Sequence, residues 1–351
     1  MGFRNFTNES SKPKNPKYRS VSKANIAVMG AGAWGRNIVR TLAELGRLAA
    51  VCDPSSMCLE AARKLVGDQG RGIRWTSRAE EILDDREIAG VMVATPAETH
   101  YEIGKKVLAA GKDLFVEKPL TVDLKEGEKL VKAAETASKI LMVGHLLEYH
   151  PAILKLHELI RSGELGEIRY VMSHRLNLGK IRIQENALWS FAPHDISVIL
   201  RIAGKMPFEV ISTGGAYVSP NIPDITLMQM LFDNGVRAHI YVSWLHPFKE
   251  QKLVVVGSKK MASFCDITKE LILYDQRVEW KEGQPVPIKG DGHKVEFSKA
   301  EPLAEECRHF IDCIRTRAVP RTDGRKGLEV LSLLHAAQKS LSTNGKQVLI
   351  K

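Results

Sequence analysis

A short apolar segment, a glycine-rich turn and an amphipathic helix follow one another near the start of this chain. Residues 25–29 are mostly apolar, residues 30–35 follow the pattern Gly-x-Gly-x-x-Gly, and helical spacing comes next. Gly30 allows a sharp turn, Gly32 allows the backbone to approach a pyrophosphate, and Gly35 allows the helix to pack closely on its strand. Free N–H groups at the start of the helix attract the anion. The segment predicts the first strand and helix of a doubly wound sheet that binds a dinucleotide.

The next predicted strand ends in an acidic residue, Asp53, about 20 residues after the glycines. A carboxylate at this point suits a ribose 2′-hydroxyl and repels a 2′-phosphate, and Pro54 follows it where an arginine would suit that phosphate. The pattern therefore favours NAD over NADP. The alternative is a strand-end acid that caps a turn.

Length and composition indicate an ordinary globular protein with two domains. The chain has 351 residues, of which 44% are hydrophobic and 26% charged. Its formal net charge is +10, and six basic residues against one acidic residue place +5 of this in residues 1–23. We expect that segment to be a disordered, solvated tail, because no nucleic-acid-binding motif accompanies its charge.

The same features bound the compartment and the partners. No signal-peptide pattern and no run of about 18 apolar residues occurs, so we expect a soluble cytoplasmic protein that does not bind a membrane. We expect no nucleic-acid partner. The five cysteines lack Cys-x-x-Cys spacing, which indicates reduced thiols and no metal site.

Strand and helix patterns alternate up to about residue 148. A strand at 90–94 leads into Thr95 and Pro96, and a strand at 113–116 leads into Glu117-Lys118-Pro119. Parallel strands joined by right-handed crossovers bind ligands beyond their carboxyl ends, so both turns should lie at the cofactor edge. The predicted cofactor-binding residues are Gly30, Gly32, Ala33, Trp34, Gly35, Asp53, Thr95, Pro96, His100, Glu117 and Lys118.

The second half has a different pattern. A helix at 152–162 precedes several strands between 168 and 274, and helices at 303–315 and 326–341 follow. Consecutive strands predict a large, mainly antiparallel sheet with helices on one face. Self-association is the simplest cover for its other face, so we expect a homodimer or homotetramer. The predicted units are the tail at 1–23, an NAD-binding α/β domain at 24–148, and an α+β domain for substrate binding and oligomerisation at 149–351.

Four motifs in this order resemble the glucose-fructose oxidoreductase and inositol dehydrogenase family (Gfo/Idh/MocA). They are the glycine loop, the Thr-Pro turn, Glu-Lys-Pro, and a later helix that bears Pro193, His194 and Asp195. The resemblance covers residues 24–351 and implies a Rossmann domain followed by a substrate domain. Residues 175–195 are similar to those of UDP-sugar 3-dehydrogenases, which oxidise UDP-N-acetylglucosamine or its uronic acid at C3.

The resemblance implies an NAD-dependent oxidation of the C3 hydroxyl of such a nucleotide sugar. One alternative is a family member that acts on another keto-sugar nucleotide, an inositol or a glucoside. A second alternative is a non-catalytic NAD-binding sensor.

Lys118 and His194 are the predicted catalytic residues. Moving a hydride from a sugar carbon requires a base for the hydroxyl proton, and free lysine titrates near about 10.4, so burial must lower the pKa of Lys118. The alternatives are a solvated strand-end lysine and a helix-capping or core histidine. Polyol-oxidising relatives commonly have an aspartate where this chain has Ser190. Either Lys118 and His194 share the proton transfer, or Ser190 links substrate and histidine. The resemblance also implies a cis bond before Pro119.

The stretch before His194 is rich in hydrogen-bond donors. Arginine and asparagine side chains suit a diphosphate, an N-acetyl group or a carboxylate, although each alone could be an ordinary surface residue. The predicted substrate-binding residues are Lys118, Arg175, Asn177, Arg182, Asn186, Ser190 and His194. We predict Trp189 to be a core residue, and we expect no metal ligand set.

Overall fold

The computed structural model describes residues 25–350, so the basic tail predicted at residues 1–23 lies outside the described residues. The described chain forms two large sheets with helices packed on them. Among residues 25–350, the structure contains no helix with both the length and the apolar character that a membrane crossing requires.

The first sheet has six parallel strands, with helices on both faces. Its strands are β1 (Asn25–Met29), β2 (Leu48–Cys52), β3 (Arg74–Thr76), β4 (Ile88–Val93), β5 (Asp113–Glu117) and β6 (Leu141–Gly144). Its helices are α1 (Gly35–Glu44), α2 (Ser56–Val66), α3 (Glu80–Leu83), α4 (His100–Ala109) and α5 (Leu124–Thr136). The strand order is β3-β2-β1-β4-β5-β6, so the winding reverses between β1 and β4. A ligand crevice is expected at that point, beyond the carboxyl ends of the strands.

The apolar sequences of these strands follow from burial on both faces. Along β1, Ile26 and Val28 contribute to one core cluster, while Ala27 and Met29 contribute to the cluster on the other face. Strands covered on both sides read as continuous apolar segments. The polar residues directly after each strand therefore gather at the edge of the sheet.

The second sheet has nine strands. The strands of the second half are β7 (Ile168–Leu178), β8 (Glu209–Gly215), β9 (Ile225–Leu231), β10 (Arg237–Ser243), β11 (Leu245–Gly257), β12 (Met261–Cys265), β13 (Glu270–Tyr274), β14 (Arg277–Lys281), β15 (Gln284–Ile288), β16 (Gly292–Lys294) and β17 (Val348–Leu349). The helices of this half are α6 (Pro151–Arg161), α7 (Ala187–Ala203), α8 (Pro302–Thr316) and α9 (Gly324–Ser342). The sheet order is β16-β13-β12-β11-β7-β10-β9-β8-β17, and β14 pairs with β15 as a separate hairpin.

The prediction of a mainly antiparallel second sheet is confirmed, with one difference. Strands β7 and β10 pair in parallel, because α7 and two further strands lie between them in the chain and bring it back in the same direction. Along β7 and β11, Val171 and Leu253 face the helix-covered core. Their neighbours Met172 and Val254 alternate to the opposite face, where they are partly exposed.

The last two long helices return to the first sheet. Phe310 of α8 packs edge-on against Phe115 of β5, with ring centroids 5.8 Å apart. Arg317, directly after α8, forms a 2.7 Å ion pair with Asp113. Residues that the sequence boundary at 148 placed in the second domain therefore complete the core of the first.

Candidate active site

The glycine loop after β1 has two glycines that packing requires and one that faces open space. A Cβ on Gly30 would lie 2.5 Å from the carbonyl oxygen of Ala94, and Gly30 has a φ of +96°. A Cβ on Gly35 would lie 2.0 Å from the carbonyl oxygen of Gly30. A Cβ on Gly32 would meet no atom of residues 25–350 within 4 Å. The loop therefore keeps room above Gly32.

The start of α1 presents backbone N–H groups that suit an anion. Among residues 25–350, no acceptor takes the N–H groups of Gly32, Ala33 and Trp34. No side chain caps the helix and no acidic residue lies in its first turn. The unpaired N–H groups and the positive end of the helix dipole attract a phosphate. With the room above Gly32, these residues fit the pyrophosphate of a dinucleotide.

Asp53 connects the end of β2 to this loop. One carboxylate oxygen accepts the N–H of Ala31 at 2.6 Å, and the other accepts the N–H of Ser55 at 2.8 Å. Each oxygen keeps a second lone pair for a ribose hydroxyl. The contact of Asp53 with the ribose stays a prediction.

The turn after β4 is tied to the turn after β5 by a buried histidine. The ring nitrogens of His100 contact the carbonyl oxygens of Pro119, at 2.8 Å, and Thr95, at 3.0 Å. Carbonyl oxygens only accept hydrogen bonds, so the neutral ring of His100 donates to one of the two and lies close to the other. His100 braces the two turns, and its contact with the cofactor stays a prediction. Pro96 is exposed beside Thr95 at the carboxyl end of β4.

Glu117 ends β5 as a buried carboxylate. It accepts the indole N–H of Trp34 from the glycine loop, and it accepts the N–H of Lys118 at 3.3 Å. Burial raises the pKa of Glu117 to about 7, against the opposing effects of Trp34 and Lys118. A Cβ on Gly144 would lie 2.9 Å from Glu117 Oε2, so the glycine makes room for this carboxylate. The bond between Lys118 and Pro119 is cis, which confirms that prediction.

The side chain of Lys118 reaches from the end of β5 to α7 in the second half of the molecule, and we call this boundary the seam. Its Nζ donates a 3.0 Å hydrogen bond to the backbone oxygen of Ser190 on α7. Burial lowers the pKa of the Lys118 amine, while the carboxylates of Glu185 and Glu117 oppose this shift. A lysine with a lowered pKa is suited to proton transfer near neutral pH.

His194 lies one helical turn after Ser190, on the same face of α7. Its ring is partly exposed, but its Nδ1 is buried and has no hydrogen-bond partner within the described residues. Burial and the nearby charges of Lys118 and Arg175 hold the pKa of His194 well below its ordinary value. His194 is therefore a neutral imidazole close to the amine of Lys118.

Sequence reasoning missed two residues at this seam. His145 follows β6 directly, and its ring packs edge-to-face with that of His194 at a centroid separation of 6.3 Å. Glu185 is the carboxylate that most strongly opposes the lowered pKa of Lys118. The position of His145 after a parallel strand next to β5 was a signal that could have identified it, since such strand ends share one edge.

The family follows from two matches that together span most of the described chain. Residues 24–145 match the oxidoreductase family with an NAD-binding Rossmann fold, and residues 153–263 match the GFO/IDH/MocA C-terminal domain. The chain belongs to the GFO/IDH/MocA oxidoreductase family. The predictions of the family, of a dehydrogenase and of NAD as cofactor are thereby confirmed.

Proteins similar to this chain are named for different activities. UDP-N-acetylglucosamine 3-dehydrogenase of Acidithiobacillus ferrooxidans is 26% identical over 87% of this chain and 93% of its own. A structure of that enzyme superposes with a TM-score of 0.80 at 24% identity, covering 91% of this chain and 97% of its own. The NAD-dependent scyllo-inositol 2-dehydrogenase of Bacillus subtilis is 24% identical over 85% of this chain and 88% of its own. An Agrobacterium radiobacter oxidoreductase in complex with NAD, L-tartaric acid and magnesium has a TM-score of 0.76 at 18% identity, covering 93% and 98%.

Several of the predicted substrate-binding residues of this GFO/IDH/MocA protein have protein partners. The guanidinium of Arg175 binds both carboxylate oxygens of Asp195, at 2.9 and 3.1 Å, and lies largely buried. Arg182 is half-exposed and forms a 2.8 Å ion pair with Glu185. Arg182 is therefore the more accessible of the two arginines for an anionic ligand.

The two asparagines predicted to bind substrate also differ in whether protein groups already occupy their side chains. The side chain of Asn186 caps α7 by accepting the N–H of Trp189 at 3.2 Å, and it donates to Gln338 at 2.8 Å. These bonds give Asn186 a structural duty at the start of α7. The Oδ1 of Asn177 is buried and has no hydrogen-bond partner in the part of the chain that the structure describes. Trp189 is partly buried and donates to Gln338 at 3.1 Å.

Metal ligands are not gathered in the described part of the chain. Within residues 25–350, no three histidine, cysteine, aspartate or glutamate side chains come together in a way that could hold a metal ion. The five cysteines are all free thiols.

Proposed function

We propose that this protein oxidises the C3 hydroxyl of a nucleotide sugar, UDP-N-acetylglucosamine or its uronic acid, to a 3-keto sugar with NAD as hydride acceptor. The observation that carries the proposal is the 3.0 Å hydrogen bond from Lys118 to Ser190. It brings an amine from the cofactor edge to the helix that bears His194. The relatedness to a UDP-N-acetylglucosamine 3-dehydrogenase supports the choice of substrate.

The proposed chemistry divides between the cofactor and two side chains. NAD, when bound, supplies the acceptor for the hydride that leaves C3. The neutral amine of Lys118 takes the hydroxyl proton as the carbonyl forms. Its ammonium then stays beside the new carbonyl oxygen and polarises it. His194 offers Nε2, its nitrogen outside the buried interior, as a hydrogen-bonding group for the sugar.

The glycine loop, Asp53 and Glu117 are the proposed cofactor contacts. The N–H groups at the start of α1 bind the pyrophosphate, and Asp53 binds a ribose hydroxyl. Glu117 lies between Trp34 and Lys118 and orients the nicotinamide end. Asn177 and Arg182 remain the proposed contacts to the nucleotide or the N-acetyl group.

An inositol is the second candidate substrate, because one structural observation favours it. Arg175 is committed to Asp195, so fewer cationic groups are free for a diphosphate than the sequence suggested. The similar scyllo-inositol 2-dehydrogenase acts on a small uncharged polyol.

A substrate panel separates these functions. The purified full chain is incubated with NAD and, in parallel, UDP-N-acetylglucosamine, its uronic acid, free N-acetylglucosamine, scyllo-inositol and myo-inositol, while NADH absorbance is recorded. We expect NADH to form only with the UDP-sugars. NADH formation with free polyols alone would support an inositol dehydrogenase instead. Tight NAD binding without any turnover would indicate a non-catalytic sensor.

The role of Lys118 is tested by substitution. Lys118→Met keeps much of the side-chain length but removes the amine, so kcat should fall by roughly a hundredfold or more. The NAD dissociation constant, measured by fluorescence titration, should stay within about twofold. Lys106→Met, at an exposed position of α4, is the matched control and should keep full activity. Near-normal turnover by Lys118→Met would remove this residue from the mechanism.

We also propose that the protein forms a homodimer or homotetramer through the open face of the nine-stranded sheet. Partly exposed Met172, Val254 and Ile272 lie on that face, opposite the helix-covered core. Light scattering coupled to size-exclusion chromatography checks the oligomeric state, and a monomer at all concentrations would contradict the proposal.

A further inference from the structure

Two imidazoles lie in contact behind the amine of Lys118. His145 is 1% exposed, and neither of its ring nitrogens has a hydrogen-bond partner among residues 25–350. Its ring and that of His194 meet at an interplanar angle of 89°. The buried Nδ1 of His194 and the buried Oγ of Ser190 also lack partners within the described chain. Four unsatisfied polar atoms therefore belong to three residues at one place.

A buried polar atom without a hydrogen bond destabilises the folded state, so four such atoms at one place need a physical reason. A buried donor or acceptor without a partner costs about 1–3 kcal/mol, and most buried polar atoms in folded proteins are paired. An aliphatic or aromatic hydrocarbon side chain would fill the position of His145 without that cost. The imidazole is therefore expected to serve a polar partner inside the site.

A histidine that acts on a substrate through one nitrogen is normally oriented through the other. The orienting group is often a carboxylate. Here the adjacent carboxylate, Asp195, is occupied by Arg175 and by the hydroxyl of Ser173, which donates at 2.8 Å. The position one turn earlier holds Ser190. The side chain in ring contact with His194 is His145.

We propose that His145 is a positioning residue that orients His194. In this arrangement His194 carries its proton on Nδ1 and donates it to a ring nitrogen of His145, directly after a small ring rotation or through one internal water. The Nε2 of His194 is then free to accept a hydrogen bond from the sugar. The inference rests on the proposed function only for the identity of that sugar.

A neutral orienting group has a different consequence from a carboxylate. The charged groups that face His194 are the ammonium of Lys118 after β5 and the guanidinium of Arg175 on β7, and both disfavour an imidazolium. Burial and Lys118 also lower the pKa of His145, to about 3. Both rings therefore stay neutral. Lys118 stores the transferred proton, while His194 contributes a hydrogen bond.

The first experiment measures the proton position without any substrate. Histidine-labelled protein is studied by ¹⁵N NMR, and the His194 signals are assigned by their loss in His194→Ala. We expect a single neutral tautomer with the proton on Nδ1 in the wild-type protein. An even mixture of tautomers, a proton on Nε2, or a charged ring at neutral pH would overturn the proposal, and this measurement does not depend on any variant at position 145.

The second experiment compares His145→Phe with His145→Gln. Phenylalanine keeps an aromatic ring but no acceptor, so the His194 tautomers should mix and kcat should fall about three- to tenfold, the worth of one hydrogen bond. Glutamine keeps an acceptor and should restore part of both signals. NAD affinity should be unchanged in both variants. Wild-type tautomer and kcat in His145→Phe would refute the proposal. A wild-type protein inactive on UDP-sugars, combined with tautomer mixing in His145→Phe, would refute the substrate and support His145.

Discussion

Adding one methyl group to the glycine loop should separate cofactor binding from folding. In Gly32→Ala the new Cβ meets no atom of the described chain within 4 Å, and the backbone at Gly32 has no left-handed φ. The substitution should therefore leave the native fold intact. Because alanine also restricts the unfolded chain, the free energy of unfolding should stay constant or rise by about 0.4–1 kcal/mol.

The substitution Gly32→Ala should weaken the binding of NAD. The methyl group occupies the room above the N–H groups of Gly32 and Ala33, where the pyrophosphate is expected. Losing one hydrogen bond to a charged group costs about 1.5–3 kcal/mol, which corresponds to an NAD dissociation constant roughly tenfold to 150-fold higher. The matched contrast is Gly35→Ala, whose Cβ would lie 2.0 Å from the carbonyl oxygen of Gly30. That variant should lose about 1–3 kcal/mol of stability as well as affinity, because backbone has to move.

Two measurements on each variant separate an effect on stability from an effect on NAD binding. Urea unfolding in the absence of NAD gives stability, and isothermal titration calorimetry gives NAD affinity. Gly32→Ala should change only the second quantity and Gly35→Ala should change both. Wild-type NAD affinity in Gly32→Ala would refute the placement of the pyrophosphate over this loop, whatever its stability.

Two further predictions concern the charges around the seam. Glu185→Gln removes the carboxylate that most strongly favours the Lys118 ammonium, so the pKa of Lys118 should fall and the rise of kcat for oxidation with pH should move to lower pH; a pH profile of kcat checks this, and a move to higher pH would contradict it. Asp195→Asn leaves the largely buried Arg175 without its counter-charge, so the free energy of unfolding should fall by about 3–5 kcal/mol. Urea unfolding measures this loss, and an unchanged midpoint would mean that the pair is already open to water.

The first half of the fold could be predicted from sequence because local signals and topology agree there. Apolar strands, a glycine turn and helical spacing define β1 and α1, and the parallel arrangement then places Thr95 and Lys118 at one edge. The second half of the fold was harder to predict from the sequence. Strand β12 lacks strong alternation, and β17 has two residues and pairs with β8, which lies far away in the chain. No local pattern distinguishes the parallel β7–β10 pair from an antiparallel one.

The residues of the candidate active site also differ in how far the sequence could predict their surroundings. The positions of Lys118 and the glycines at the cofactor edge could be predicted, because each follows directly after a strand of the first sheet. The partners of Arg175, Asn186 and His100 in Asp195, Gln338 and Pro119 could not be predicted, since only tertiary folding brings these groups near. A donor counted in a sequence is available to a ligand only if no protein acceptor takes it first.

The pairing of charges around Lys118 explains why burial dominates its pKa. Arg175 is neutralised by Asp195 and Arg182 by Glu185, so neither arginine acts as a full isolated charge on the amine. Glu117 is itself buried, which raises its own pKa. With its cationic neighbours paired, Lys118 is left mainly with the cost of holding a charge away from water, which lowers its pKa. Binding of the cationic nicotinamide ring beside Glu117 would favour ionised Glu117, and it would at the same time disfavour the Lys118 ammonium. Ionised Glu117 would in turn favour the Lys118 ammonium, so the charge of the ring and that of Glu117 would act on the amine in opposite directions.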